Sequence, residues 1–195
     1  MLAFVDYLAQ AAPEGETILL VRQKPRIYDG APALHGDGTP KYTWPPCLPE
    51  RYREDKPAAW YGNTALFVLD RFKDGKLSAG TAFSKHVAFM VLDDVGTKSK
   101  VPPLEPSWKI ETSPGNYQWG YTFDYDHQPT KEDFAAAIFA IAEAGYTDKG
   151  AINAVRNFRI PGSINLKPGR DNFPARLVEF SPIRFFTLDQ ICREL

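Results

Sequence analysis

Six consecutive apolar residues, Val87-Ala88-Phe89-Met90-Val91-Leu92, run straight into Asp93-Asp94 and then Val95-Gly96-Thr97-Lys98. A short unbroken apolar run reads as a strand buried on both faces, which demands packed layers on either side of it. Two carboxylates where such a strand emerges lose hydration unless positive charge compensates them. A divalent cation held by carboxylate oxygens, with waters and phosphates completing its shell, is one compensation. A surface turn is the plain alternative, because Asp and Gly favour turns in any case. Gly96-Thr97-Lys98 offers a tight backbone and a cation suited to a triphosphate, but the preceding glycines of a P-loop are missing, which excludes a Walker-type site.

The remaining sequence sets the frame for this strand. A chain of 195 residues suffices for one domain with a substantial core. No stretch approaches the roughly 20 apolar residues of a membrane span, and Met1 to Gln10 carries Asp6 and no basic residue, unlike a signal peptide. Cys47 and Cys192 stand far apart without neighbouring cysteines, which fits neither a zinc motif nor a disulfide framework and suits a reducing cytoplasm. The formal net charge of −1 does not announce a nucleic-acid binder. Charge is nevertheless segregated: Lys149, Arg156, Arg159, Lys167 and Arg170 follow one another without an intervening acid, bracketed by Asp148 and Asp171. Such a stripe suits a phosphate site or, more plainly, a solvated face.

Along the chain, Asp6 to Ala11 reads as a short helix and Thr17 to Arg22 as a strand. Residues 25–57, rich in Pro, Gly and Tyr, read as a long ordered loop with at most short strands. Trp60 to Leu69 reads as a second buried strand, Asp74-Gly75 as a turn, and Val87 to Leu92 as one central strand. Trp108 to Thr112 and Tyr117 to Tyr125 flank Ser113-Pro114-Gly115-Asn116, a hairpin closed by a type II turn. Thr130 to Ala144 is the clearest helix, with Phe134, Ile138 and Ile141 on one face, a capping pattern at Thr130 and Asp133, and Gly145 to end it. Arg176 to Phe180 reads as a late strand, and Thr187 to Leu195 as a helix with a second capping box. The mixture predicts an α/β or α+β fold of mixed β-sheets with flanking helices.

Asp93-Asp94, Ser113 to Gln118, Asp148 and the segment Arg156 to Lys167 call for a common explanation. Three carboxylates can hold two metal ions that clamp the attacking and leaving oxygens of an in-line displacement. Arg and Lys neutralise a triphosphate, and Ser, Asn and Gln orient it. The order Asp-Asp, Ser-Pro-Gly-x-x-Gln, Asp, then Arg-x-Pro-Gly-x-x-Asn-x-Lys resembles the archaeo-eukaryotic primase superfamily, and most of all the primase-polymerases of phages and plasmids. The resemblance covers about residues 60–185, and residues 159–167 carry its strongest motif.

The resemblance implies a primase-like core with an RRM-like half and metal-dependent nucleotidyl transfer on a single-stranded DNA template. It implies two Mg²⁺ or Mn²⁺ ions on Asp93, Asp94 and Asp148, and NTP or dNTP held by Ser113, Asn116, Gln118, Arg159, Asn165 and Lys167, with Lys98 assisting. Arg156 and Arg170 are expected at template phosphates. Many members separate the first two acids by one residue, so adjacent Asp93 and Asp94 reach one site only if the strand ends or bulges there, for which Gly96 provides. Gln118 stands where many members have His, which makes that nucleotide contact neutral. Because related primases are often fused to a helicase or work beside one, the chain is expected to be a single catalytic domain, the N-terminal part of a longer replication protein with a helicase domain or partner.

Two other functions use the same residues: a catalytically silent replication-initiator module that binds DNA, and a metal-dependent nuclease. His35, His86 and His127 lack ligand spacing and read as structural or surface residues. Asp124-Tyr125-Asp126 imitates a metal pair but reads as a solvated loop before Pro129. Tyr42, Trp44, Tyr52, Trp60 and Tyr61 read as a loop packed on the core, with stacking on single-stranded bases as the alternative.

Overall fold

The computed structural model describes residues 2–52, 58–72 and 76–195. The turn expected at Asp74-Gly75 lies outside them. The chain opens with helix α1 (Leu2–Gln10) and strand β1 (Glu16–Arg22). Four two-residue strands follow: β2 (Lys24–Pro25), β3 (Ile27–Tyr28), β4 (Ala31–Pro32) and β5 (Tyr42–Thr43). Next come β6 (Pro46–Cys47), β7 (Trp60–Val68), β8 (Ser84–Val87), β9 (Phe89–Val95), β10 (Trp108–Ser113) and β11 (Asn116–Phe123). Helix α2 (Lys131–Glu143), β12 (Asn157–Arg159), β13 (Arg176–Phe180), β14 (Phe185–Phe186) and helix α3 (Leu188–Glu194) complete the fold. It is an α+β architecture built on two mainly antiparallel sheets. No helix among the described residues is long and apolar enough to cross a membrane.

The first sheet runs β12-β7-β1-β6, and β8 shares the outer edge of β7 with β12. The second runs β13-β10-β11, with β9 antiparallel and β14 parallel to β11. The apolar run at 87–92 is therefore two strands: the chain leaves the first sheet after Val87 and enters the second at Phe89. Buried Ala88 makes the crossing, its N–H donating to Thr64 O at 2.9 Å.

Alternation along β9 explains why that run has no polar face. Phe89 and Val91 point into a core between the sheets, with Phe4, Leu8, Ile18, Leu66, Trp108 and Phe158. Met90 and Leu92 point the other way, into a core that Phe134, Ile138 and Ile141 of α2 and Ile191 of α3 share with Trp119 and Tyr121. The helices cap as the sequence predicts. Thr130 accepts from the Asp133 N–H, Gly145 ends α2 with φ +88, and Thr187 and Gln190 form a complete capping box.

Candidate active site

Two strand irregularities build the cleft. In the β9–β11 pair Leu92 lies opposite Trp119 and Val95 opposite Tyr117, so Asp93 and Asp94 together oppose the single Gln118. This bulge brings both acids to one cleft, and Asp94 takes the left-handed backbone itself (φ +57), its N–H donating to Asp93 Oδ1 at 2.9 Å. The Asp94 carbonyl accepts from the N–H groups of Thr97, Lys98 and Ser99, and Gly96 (φ +82) lets the turn close. Across β11, Glu111 pairs with Tyr117 and Ser113 with Asn116, which leaves Thr112 as the extra residue of a second bulge. Gly115 in the hairpin turn has φ +70, as a type II turn requires.

The cleft holds about 290 Å³ and takes its lining from both sheets and the segments after β12. All twelve residues singled out in the sequence line it: Asp93, Asp94, Asp148, Lys98, Ser113, Asn116, Gln118, Arg156, Arg159, Asn165, Lys167 and Arg170. Trp44, Tyr61, Thr112 and Asn157 line it too, and the sequence reading assigned them no place there. For Tyr61 a signal existed: a basic segment without acids needs some other face to rest on.

Asp93 Oδ2 receives Arg156 Nη2 at 2.6 Å, and Asp94 Oδ2 receives Lys98 Nζ at 2.9 Å. Burial pushes the Asp94 carboxyl up, but the Lys98 hydrogen bond and charge outweigh it, and the carboxyl titrates below its ordinary range. The cation beside it, rather than the neighbouring acid, therefore governs Asp94. A lowered carboxyl pKa means the ion pair is in place above the usual carboxylate range and is lost as pH falls through the lowered value.

Asp148 is exposed, caps the turn Lys149–Ala151 and accepts from the Gly150 N–H at 3.3 Å. Among the described residues no three His, Cys, Asp or Glu side chains stand at metal-holding spacing. Arg156, expected at template phosphates, is instead the partner of Asp93, with its side chain largely withdrawn from solvent.

Arg159 is held most firmly. It is 5% exposed. Its Nη1 donates to Ile164 O at 3.0 Å, its Nη2 donates to Asn165 Oδ1 at 2.7 Å, and its guanidinium lies 4.8 Å from the Tyr61 ring centroid. Burial lowers its proton affinity, and it forms no ion pair with the described residues. Gln118 Oε1 accepts from the Arg159 N–H at 3.0 Å. Asn165 acts as a strut, donating to Thr112 O at 2.8 Å while its Oδ1 also accepts from the Lys167 N–H. Asn116 ties the 94–99 turn to the hairpin, accepting from the Thr97 hydroxyl and donating to Thr112 Oγ1. Lys167 and Arg170 line the cleft without a side-chain hydrogen bond or ion pair to the described residues. A buried guanidinium with no ion pair to the described residues, beside two cations that form none with them either, is an arrangement that lowers its energy by taking up an anion.

The lesser candidates fall elsewhere. His86 Nδ1 pairs with Glu16 Oε1 at 2.9 Å, outside the cleft. Asp124 caps a turn, accepting from the Asp126 N–H. Tyr52, Trp60 and Tyr61 pack as expected, whereas Trp44 is 41% exposed.

No protein-family model and no curated protein matches the sequence. Solved structures do. The AEP domain of the cyanophage S-2L primase-polymerase superposes with a TM-score of 0.64 at 14% identity, covering 100% of this chain and 95% of that one. This chain has an archaeo-eukaryotic primase-like fold. Primase RepB′ matches with a TM-score of 0.57 at 14% identity, covering 98% of this chain; the chain spans 60% of that protein. The catalytic domain of primase RepB′ in complex with initiator DNA matches at 0.55 and 13% identity, covering 98% of this chain and 91% of that one. The primase-like fold thus takes in the described residues before β7 as well, where the sequence offered no motif.

Proposed function

We propose that this chain is a DNA primase-polymerase that transfers nucleotides from NTP or dNTP onto a strand copied from single-stranded DNA. The observation that carries the reading is Arg159: a buried, preorganised guanidinium that forms no ion pair with the described residues, at a cleft whose lining also holds three aspartates. One basic and one acidic cluster in the same cleft is what triphosphate chemistry asks of a protein. The structural neighbours, primase-polymerases and primases by description, agree with it.

The donor set fits a hard divalent cation such as Mg²⁺ or Mn²⁺, since Asp93, Asp94 and Asp148 offer only oxygens. A pair of such ions would supply charge stabilisation to the attacking and leaving oxygens. Asp93, Asp94 and Asp148 would be the residues that hold them. Arg159 takes a phosphate oxygen, with Lys167 and Lys98 beside it. Gln118 fixes the Arg159 backbone, Ser113 faces the nucleotide, and Asn116 and Asn165 keep the hairpin and the basic segment in register. Arg170 is left for template phosphate, which carries no sequence information.

Arg159→Ala should weaken triphosphate binding about 100-fold, the loss expected for charge-assisted hydrogen bonds, while single-strand affinity holds. Isothermal titration with a non-hydrolysable triphosphate measures the first and fluorescence anisotropy the second. Collapse of template affinity with nucleotide binding intact would reverse the assignment. Arg159→Lys should not rescue, because an ammonium cannot reproduce the stacked, forked geometry.

Arg156 is the internal counter-ion of Asp93. Removing its charge in Arg156→Gln should tighten Mn²⁺ binding about tenfold, a modest share of the interaction between close charges near a protein surface. A titration monitored by Mn²⁺ paramagnetism reads this directly, and unchanged or weaker binding would show that Arg156 does not compete with the metal.

One observation favours a second reading, a DNA-binding initiator module that has lost the chemistry: Asp93 and Asp94 are each already neutralised by a side chain of the protein. That module binds template and incorporates nothing.

A further inference from the structure

Residues 24–43 form two small hairpins on one stem. Strand β2 pairs with β5, and β3 pairs with β4 across Asp29-Gly30, whose φ values of +49 and +77 make the left-handed turn that two-residue hairpins prefer. Arg26, Ala33 and Lys41 exchange backbone hydrogen bonds where the hairpins meet. Backbone hydrogen bonds hold the arm together, but its large apolar side chains are not buried. Tyr28 is 79% exposed, Ile27 59% and Leu34 52%. An arm that leaves its large apolar groups in water marks a surface built for contact.

The charges on the arm narrow the partner. Lys24, Arg26 and Lys41 sit on the stem and form no ion pair with the described residues. The two acids sit at the tips, Asp29 in its turn and Asp37 bound by the Thr39 N–H and hydroxyl. Lys24, Arg26 and Tyr28 follow one another at every second position, all three exposed. Unpaired cations interleaved with an exposed aromatic suit a polymer that offers phosphates and flat bases together. The arm is also continuous with the cleft. Trp44, directly after β5, forms part of the cleft wall and meets Tyr61 edge-on at 5.0 Å, and Tyr61 in turn supports Arg159.

We propose that this double hairpin grips the single-stranded DNA template, with Tyr28 stacking on a base and Lys24, Arg26 and Lys41 on its phosphates, as the strand passes Trp44 into the cleft. The inference rests on the polymerase reading of that cleft and gives residues 24–43 the contact with template. It locates grip in a local arm, so the near-zero net charge of the chain does not set template affinity.

The test uses the full chain and a fluorescent oligothymidylate, followed by anisotropy over a range of salt. Tyr28→Ala should weaken binding about tenfold, as removal of one stacking partner does. Replacing Lys24, Arg26 and Lys41 together by Ala should reduce the slope of log affinity against log salt by about 2, or roughly 0.7 for each single-strand phosphate that the variant no longer neutralises. Triphosphate binding should be unchanged in both variants, which also shows that they fold. If triphosphate binding is intact and both variants hold the oligonucleotide like the parent, the arm is not the grip and the polymerase reading stands. If the variants instead lower the sedimenting mass without altering DNA affinity, the arm is a contact between copies of the chain and the inference falls. If the parent binds neither triphosphate nor oligonucleotide, the reading beneath the inference fails with it.

Discussion

Asp93→Asn should reduce metal-dependent nucleotide incorporation by about 1,000-fold or more, since an acid that positions a catalytic cation is worth several kcal/mol in the transition state. Asn is the informative substitution. It keeps the size of the side chain and one oxygen, which can still accept from the Asp94 N–H and so retain the bulge, while the bond from Arg156 to the second oxygen is given up. It removes the charge and one of the two hydrogen bonds that Asp93 accepts. Ala would give up both bonds beside Arg156, whose Nε is already buried without a partner, and would mix a folding defect into the measurement. Initial rates of labelled nucleotide incorporation across a Mn²⁺ series, with circular dichroism as the folding control, give the result. Activity within a few-fold of the parent would remove Asp93 from the metal-binding set. Asp148→Asn makes the same test for an acid that reaches the cleft from an exposed turn.

The largest effect on stability is expected at Gly120. It lies directly opposite Trp108 in the β10–β11 pair, and a Cβ there would stand 1.9, 2.0 and 2.4 Å from three atoms of the indole. The indole cannot yield. It is fully buried, with Phe4 edge-on at 5.6 Å and Phe158 at 5.0 Å. Gly120→Ala should therefore cost about 3 kcal/mol or more, the upper range for overpacking a core. At about 2–4 °C per kcal/mol for a domain of this size, the melting temperature should drop by roughly 6–12 °C. Trp108→Ala alone should cost about 3–5 kcal/mol through the cavity it opens. Adding Gly120→Ala to Trp108→Ala should cost almost nothing more, because the clash has gone. That non-additivity in urea or thermal unfolding identifies the contact, and simple addition of the two losses would disprove it.

Local signals in the sequence carried far. The boundaries of β13 match, α2 and α3 start at their capping residues, the Pro114-Gly115 turn is of the expected type, and the bulge needed to bring Asp93 and Asp94 together is present. All of these are set by residues within a few positions of one another. What was not legible depends on partners distant in the chain. The run at 87–92 is apolar throughout, so nothing in it marks the change of sheet at Ala88. Strands β12 and β14 are too short to show a period, and they exist because β7 and β11 offer them an edge. The partnership of Arg156 with Asp93 joins residues 63 apart, and no motif announces it. Trp44 and Tyr61 reach the cleft only because β5 and β7 bring them there. The stretch read as a long loop contains the pairs β2–β5 and β3–β4, whose strands are two residues each, below the length at which alternation can be recognised.

The central claim is that the cleft makes phosphodiester bonds on a template. The most direct measurement incubates the chain with a single-stranded template, labelled ribo- or deoxyribonucleotides, and Mg²⁺ or Mn²⁺, with and without a primer, and resolves the products by length. The expected result is labelled product longer than any primer supplied, dependent on metal and lost in Asp93→Asn. Template that is bound but never copied would contradict it in favour of the initiator module, and template that grows shorter would contradict it in favour of a nuclease.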